Sequence, residues 1–190
     1  MTQDAANQEA ADWKSPDADL EPDADVESVA RQILLRRLTD QPRSRAELAQ
    51  TLARRNVPSE VAGQLLDRFE QVGLIDDAEF ARSWVRSRQS SRGLAGRALA
   101  EELRRKGVAE EHIEDAVDEI QPADEEEAAR HLVRKKLRSV RGLDRTKQLR
   151  RLTGMLARKG YPGSLSFAVV SDELRAVDSD LVEPTSYESG

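Results

Sequence analysis

"ALAEELRRKGV" (residues 98–108) decides how the chain folds, because it is one copy of a pattern. The same pattern stands 51 residues earlier as "ELAQTLARRNV" (47–57), with Leu48 on Leu99, Leu52 on Leu103 and Val57 on Val108. That shift also lays "VARQILLRR" (29–37) on "FARSWVRSR" (80–88). A looser third copy follows, "LTGMLARKGY" (152–161), with Leu152, Leu156 and Gly160 on Leu99, Leu103 and Gly107 at a shift of 53. "AARHLVRKK" (128–136) meets "FARSWVRSR" at a shift of only 48, so the last copy carries five extra residues between its first two helices. Self-similarity at this period marks a repeat architecture in which each unit is one small supersecondary block.

Apolar spacing divides each copy into three helices. In the first copy Val29, Ile33 and Leu38 line one helix and Leu48 and Leu52 the second; Val61, Leu65, Phe69 and Val72 line the third. The middle copy uses Phe80 and Trp84, then Leu99 and Leu103, then Ile113, Val117 and Ile120. The last has Ala129, Val133, Leu137 and Val140, then Leu152 and Leu156. "SLSFAVVSDEL" (164–174) reads locally as a strand, but its place in the repeat makes it a helix. The expected fold is all-α: three tandem three-helix repeats in an elongated, curved array, spanning 26–75, 76–121 and 122–177. Acidic tails, expected to be disordered, flank it at 1–25 and 178–190, because neither offers much apolar surface to bury.

The second helices end in "ARRNVP", "LRRKGVAEE" and "LARKGYPG". Gly107 and Gly160 sit where a left-handed residue closes a helix, and Asn56 is the next-best residue for that conformation. The cations just before them complement the helix dipole; capping accounts for them economically, and ligand binding stays open. Gly73 closes the preceding helix, Leu74 and Ile75 plug the joint, and Asp76 or Asp77 caps the next helix. With Asp76 as the cap, Glu79 falls where it can reach back to the cap's own amide. The acids of "VGLIDDAEFARSWV" (72–85) are therefore structural and not catalytic.

Composition narrows the function. Of 190 residues, 35% are charged and 4% aromatic, which suits slim helical units with small cores. The absence of cysteine excludes disulfides, zinc fingers and a cysteine nucleophile. No apolar run approaches the ~20 residues of a membrane span, and the acidic start lacks a signal peptide's order, so a cytoplasmic protein is expected. His112 and His131 lack metal-site spacing. There is no GxxxxGKS/T phosphate loop, no GxGxxG turn and no GxSxG elbow. The expectation is a non-enzyme without a cofactor. The net charge of −6 hides a division: residues 1–27 hold nine acids and one lysine, 171–190 six acids and one arginine, and 28–170 hold 28 basic and 21 acidic residues. A basic body fits a polyanionic or acidic partner; it also fits a salt-bridged helical surface.

The stretch "GLIDDAEFARSWVRSRQSSRGLAGRALAEELRRKGV" (73–108) resembles the RecX family of recombination regulators. The matching features are Gly-Leu-Ile-Asp-Asp-x-x-Phe-Ala at 73–81, Arg-Ser-Arg at 86–88, Arg-Gly at 92–93, Glu-Leu at 102–103 and Lys-Gly-Val at 106–108. "SRAELAQTLARRNVP" (44–58) is similar to the family's first repeat, and the resemblance runs over about residues 28–175. Ala95–Gly96 departs from the Gly-Pro expected there, and Asn56 from a Lys-Gly ending. The resemblance implies a modulator, chiefly an inhibitor, of the RecA recombinase that lies along the RecA filament on single-stranded DNA, touching recombination, DNA repair and the SOS response. It also implies weak binding to single- or double-stranded DNA in some members. A monomer is expected. Three bundles of helices ~18 Å long make a rod on the order of 60 Å, enough to bridge protomers of a polymer. The alternative is a helical protein that acts by occupying nucleic acid directly.

Candidate contacts serve both readings. Arg82, Arg86 and Arg88 lie on the first helix of the middle copy, with Arg92 and Arg97 in the connector beyond. Arg130, Arg134 and Arg138 form an i, i+4, i+8 stripe flanked by Lys135, Lys136 and Arg141. A solvated face, with Glu126 and Glu127 pairing Arg130, fits the stripe as well as a contact surface does. Phe80 and Trp84 are expected to be buried, which leaves little aromatic surface for the base stacking that single-strand binding uses.

Overall fold

A computed structural model describes residues 25–180. The two predicted acidic tails lie outside these residues, apart from Asp25 and the last helix, which runs on to Asp180. The described residues form nine helices and no strand. The first repeat holds α1 (Val26–Asp40), α2 (Arg45–Arg54) and α3 (Ser59–Gln71). The second holds α4 (Asp77–Arg92), α5 (Gly96–Arg105) and α6 (Glu110–Asp118); the third holds α7 (Pro122–Leu137), α8 (Arg145–Arg158) and α9 (Gly163–Asp180). Residues 164–174 are helical, as repeat position demanded and local composition did not.

Each repeat buries its own core. Leu48 and Leu52, Leu99 and Leu103, and Leu152 and Leu156 are almost wholly removed from solvent. At roughly 1.5–3 kcal/mol per fully buried leucine, these six dominate a set of small cores. The first helices contribute Ala30 and Leu34, Ala81 and Val85, and Ala129 and Val133, again at shifts of 51 and 48. The sequence reading put this face one residue earlier in the first two copies, on Val29 and Ile33 and on Trp84. Those side chains are only half-buried, because one residue of offset turns a helix by about 100°. Val72 and Leu74, expected inside, are exposed at 62% and 48%, so Ile75 alone fills that joint. Val140 is buried but lies beyond α7, in the turn before α8.

The helix ends follow local chemistry. Ser44 and Glu47 form a complete capping box at α2. Asp76 accepts the Glu79 amide at 2.8 Å, but the Glu79 carboxylate turns outward to Arg82 and Arg86 instead of back to the cap. Ser90 and Ser91 belong to α4, where both hydroxyls donate to the Ser87 carbonyl, and the connector to α5 is only 93–95.

Substantial helix packing stays within repeats, and the repeats meet at two narrow joints of the same design. At the first, the Ser44 hydroxyl at the start of α2 donates to the Lys106 carbonyl at the end of α5 at 2.6 Å, and Lys106 Nζ reaches Glu47 at 2.6 Å. At the second, the Ala95 amide before α5 donates to the Lys159 carbonyl after α8 at 2.9 Å, and the Tyr161 hydroxyl donates to the Gly93 carbonyl at 3.2 Å. Burial, then the Glu125 charge, pushes the Tyr161 phenol up to about 12. The glycine after each capping residue touches the neighbour. A Cβ on Gly160 would stand 2.5 Å from the Ala98 nitrogen, and one on Gly107 would overlap the Ala46 side chain. The amide end of each second helix thus meets the carbonyl end of the next, which places opposite dipole ends together.

The outer repeats differ from the middle one. Asn56 holds the equivalent left-handed position in the first repeat, at φ 58°, and is exposed, with no further repeat packed on it among the described residues. Aligned on the buried leucines, α8 begins four residues earlier than α2 and α5. That extra turn, with Asp144 capping it, takes up most of the five-residue insertion. Atypical terminal units are what a stacked array uses to stop.

Candidate functional site

On α4, the predicted cations are held within their own repeat. Glu79 takes Arg82 Nε at 3.1 Å and Arg86 at 2.8 Å, and these hydrogen bonds hold its carboxyl below the usual range. Glu102 of α5 accepts the Trp84 indole N–H at 2.9 Å and pairs with Arg88 and Arg92 at 3.6 and 3.8 Å. The Arg88 guanidinium lies 4.1 Å from the Trp84 ring centroid and Lys106 Nζ 4.2 Å, while Phe80 stacks beside it at 5.8 Å. Trp84 is therefore neither the buried anchor expected nor an open stacking platform. It is a half-buried ring whose edge and π-surface are engaged by charges from α4 and α5.

The stripe on α7 divides in two. Glu173 of α9, almost buried at 7% exposure, takes Arg134 through both oxygens at 2.9 Å. Arg130 pairs with Glu126 and lies 3.9 Å from Glu173. Hydrogen bonding to Glu126 and to Glu173 pushes the Arg130 and Arg134 guanidinium groups further up. These two are structural links between α7 and α9. Lys135, Lys136, Arg138 and Arg141 are exposed, with no ion pair among the described residues.

An open groove of 770 Å³ lies where the second joint brings α5 beside α8. Arg97 and Arg105 line it from α5, and Arg150 and Arg158 from α8. It continues along α8 into a hollow that adds Arg151 and Lys147. Lys147 is paired with Asp144 at 2.7 Å, but the five arginines have no ion-pair partner among the described residues. Two acids also line the groove, and both are already bound: Glu101 to Arg104, Glu102 to the Trp84 network. Of the candidates named from sequence, only Arg97 reaches this groove, from the first turn of α5 and not from a connector. Arg105 and Arg158 were assigned to capping; Arg150 and Arg151 were missed. A signal existed, because α8 carries four arginines and a lysine without an acid.

Among the described residues no three His, Asp or Glu side chains gather as metal ligands, and no helix is long and apolar enough to cross a membrane. Fold and groove together define a class: a tandem three-helix repeat protein whose charged surfaces are suited to engaging another macromolecule. Family models for the first, second and third three-helix domains of RecX match residues 30–69, 76–117 and 124–170. Regulatory protein RecX of Streptomyces coelicolor is 52% identical over 160 residues, 84% of this chain and 85% of that protein. Its counterpart from Thermobifida fusca is 50% identical over 162 residues, 84% and 88% of the two chains. A crystal structure of regulatory protein RecX superposes at a TM-score of 0.71 with 26% identity, over 78% of this chain and 72% of that one. RecX from Lactobacillus salivarius shares the fold at a TM-score of 0.72 with 18% identity, over 77% and 96%. The chain belongs to the RecX family of regulatory proteins.

Proposed function

We propose that this chain regulates the RecA recombinase, chiefly as an inhibitor, by lying along the RecA filament on single-stranded DNA as a cytoplasmic monomer. In this role it tunes recombination, DNA repair and the SOS response by occupancy and not by catalysis. Family membership supports the partner. The observation that carries the mode of action is the set of three separately cored units joined end to end, with unpaired cations on more than one face. Such a rod spans on the order of 60 Å and can hold adjacent protomers of a polymer against relative motion. The contact surface is drawn from Arg97, Arg105, Arg150, Arg151 and Arg158 in the groove and from Lys135, Lys136, Arg138 and Arg141 on α7. Arg130 and Arg134 drop out because α9 already holds them.

The test is co-sedimentation with RecA filaments assembled on single-stranded DNA, beside naked DNA of the same length. Strong binding to filaments with suppressed ATP hydrolysis is expected. Binding to naked DNA alone would instead establish direct occupation of nucleic acid, the reading that the groove arginines favour and the engaged Trp84 ring disfavours. Arg150→Ala with Arg158→Ala separates the modes further. Lost phosphate contacts flatten the slope of log affinity against log salt by about one per contact, whereas lost contacts to an acidic protein surface weaken binding without that signature.

A further inference from the structure

The third helix of each repeat starts at a matching place, and the last copy departs from the pattern there twice. At shifts of 51 and 53 residues, Ser59 and Glu60 of α3 align with Glu110 and Glu111 of α6, and these with Gly163 and Ser164 of α9. An acid thus stands in the first turn of α3 and of α6, complementing the positive helix end, and none stands in that of α9. Pro162, directly before α9, has no side-chain acceptor to cap it, and the amides of Gly163, Ser164 and Leu165 find no acceptor among the described residues. Gly163 is exposed and nothing lies within 4 Å of the Cβ it lacks, so the approach to those amides is open. The second departure is Ser166, which aligns with the buried Ala62 of α3 and Ile113 of α6. Ser166 is 2% exposed, and its hydroxyl has no hydrogen-bond partner among the described residues. A buried, unpaired hydroxyl costs stability that an apolar residue at the same position does not, so packing gives no reason for a serine here.

Both departures fall on the α5–α8 groove, which Gly163 and Ser166 line together with Arg97, Arg105, Arg150 and Arg158. We propose that the first turn of α9 and Ser166 form a seat for a phosphate group. The amides of Gly163, Ser164 and Leu165 are its donors, as open helix N-termini are for phosphates generally, and the unpartnered Ser166 hydroxyl supplies one more. The four arginines are exposed, so they draw the anion in at longer range and do not hold it. These donors recognise phosphate oxygens and nothing else of a ligand, so a free phosphate and one phosphate of a nucleic-acid backbone both fit. The seat lies in the groove that the proposed function uses, but phosphate binding needs no recombinase, and either reading can fail alone.

The test titrates the full-length, nitrogen-labelled chain with inorganic phosphate at constant ionic strength, then with a short single-stranded oligonucleotide, and follows the amide resonances. Those of Gly163, Ser164 and Leu165 are expected to move together, while those at the acid-bearing starts of α3 and α6 stay in place. Movement with inorganic phosphate alone assigns the seat to a free phosphate group; movement with the oligonucleotide assigns it to a backbone phosphate. Amides of 163–165 that stay in place with both probes overturn the proposal, as does movement confined to Lys135–Arg141. Ser166→Ala is expected to weaken binding roughly three- to tenfold, the worth of one hydrogen bond, while the thermal transition holds or rises because an unpaired buried hydroxyl is gone. Unchanged binding in Ser166→Ala, with or without a lowered transition, makes that serine structural and overturns the seat as drawn.

Discussion

Gly107 and Gly160 carry two demands at once, a left-handed backbone and the absence of a Cβ where the next repeat touches. Gly73 carries only the first: its φ is +72°, close to the +73° of Gly107, yet nothing lies within 4 Å of its would-be Cβ. The three therefore separate the two costs. Gly73→Ala is expected to lower stability by roughly 1–2 kcal/mol, the left-handed penalty alone. Gly107→Ala and Gly160→Ala should lose that and a further ~1–3 kcal/mol for the collision. At Gly160 the opposing atom is backbone, which cannot turn aside. Urea unfolding of the three variants is the check; equal losses would mean that the repeats can separate slightly without penalty. Asn56 shows the complementary case, where an end position keeps the conformation and dispenses with the close approach.

On α7, neighbouring cations have opposite duties. Arg134 grips a nearly buried carboxylate on α9, while Lys135, Lys136 and Arg138 face solvent. Arg134→Ala leaves Glu173 with only the distant Arg130, and is expected to lower the thermal transition. The loss should be smaller than for a fully buried pair because Arg134 itself is half in water. Replacing Lys135, Lys136 and Arg138 together by alanine should leave the thermal transition in place or raise it slightly, since alanine is the better helix former. Any loss of filament binding in that triple variant then reads as a lost contact. If Arg134→Ala proves as harmless as the triple variant, Glu173 is adequately served by solvent and α9 is less tightly held than its geometry indicates.

Across the whole molecule, separate cores and narrow joints predict limited cooperativity. Leu34 packs only with first-repeat residues, so Leu34→Ala should destabilise that repeat by roughly 2–5 kcal/mol. The loss should reach the third repeat only through the joints, as in nearest-neighbour arrays. Native-state hydrogen exchange is expected to show faster exchange across α1–α3 with protection in α7–α9 unchanged. A uniform loss of protection over all nine helices would establish a single cooperative unit. Ala95 is the one residue of the second repeat that enters the third repeat's core, so coupling between those two should exceed coupling between the first and the third.

What could be read in one dimension was whatever depends on residues within about one helical turn or on the repeat period. The leucine pairs, the Asp76 cap and the left-handed helix ends are of this kind. Repeat register even overrode the strand-like composition of 164–174. The groove was illegible because Arg105 and Arg150 are brought together by a joint whose hydrogen bonds join residues more than 60 positions apart. The division of the α7 stripe was hidden in the same way, since Glu173 reaches Arg134 from 39 residues away. Trp84 failed for a subtler reason: on a helix edge one residue separates core from surface, and here Glu102, Lys106 and Arg88 hold the ring at that boundary. Local periodicity sets which residues are apolar enough to be buried. Only the packed arrangement of repeats sets which charges find partners, because pairing depends on distance in space and a helix's own spacing says nothing of its neighbours.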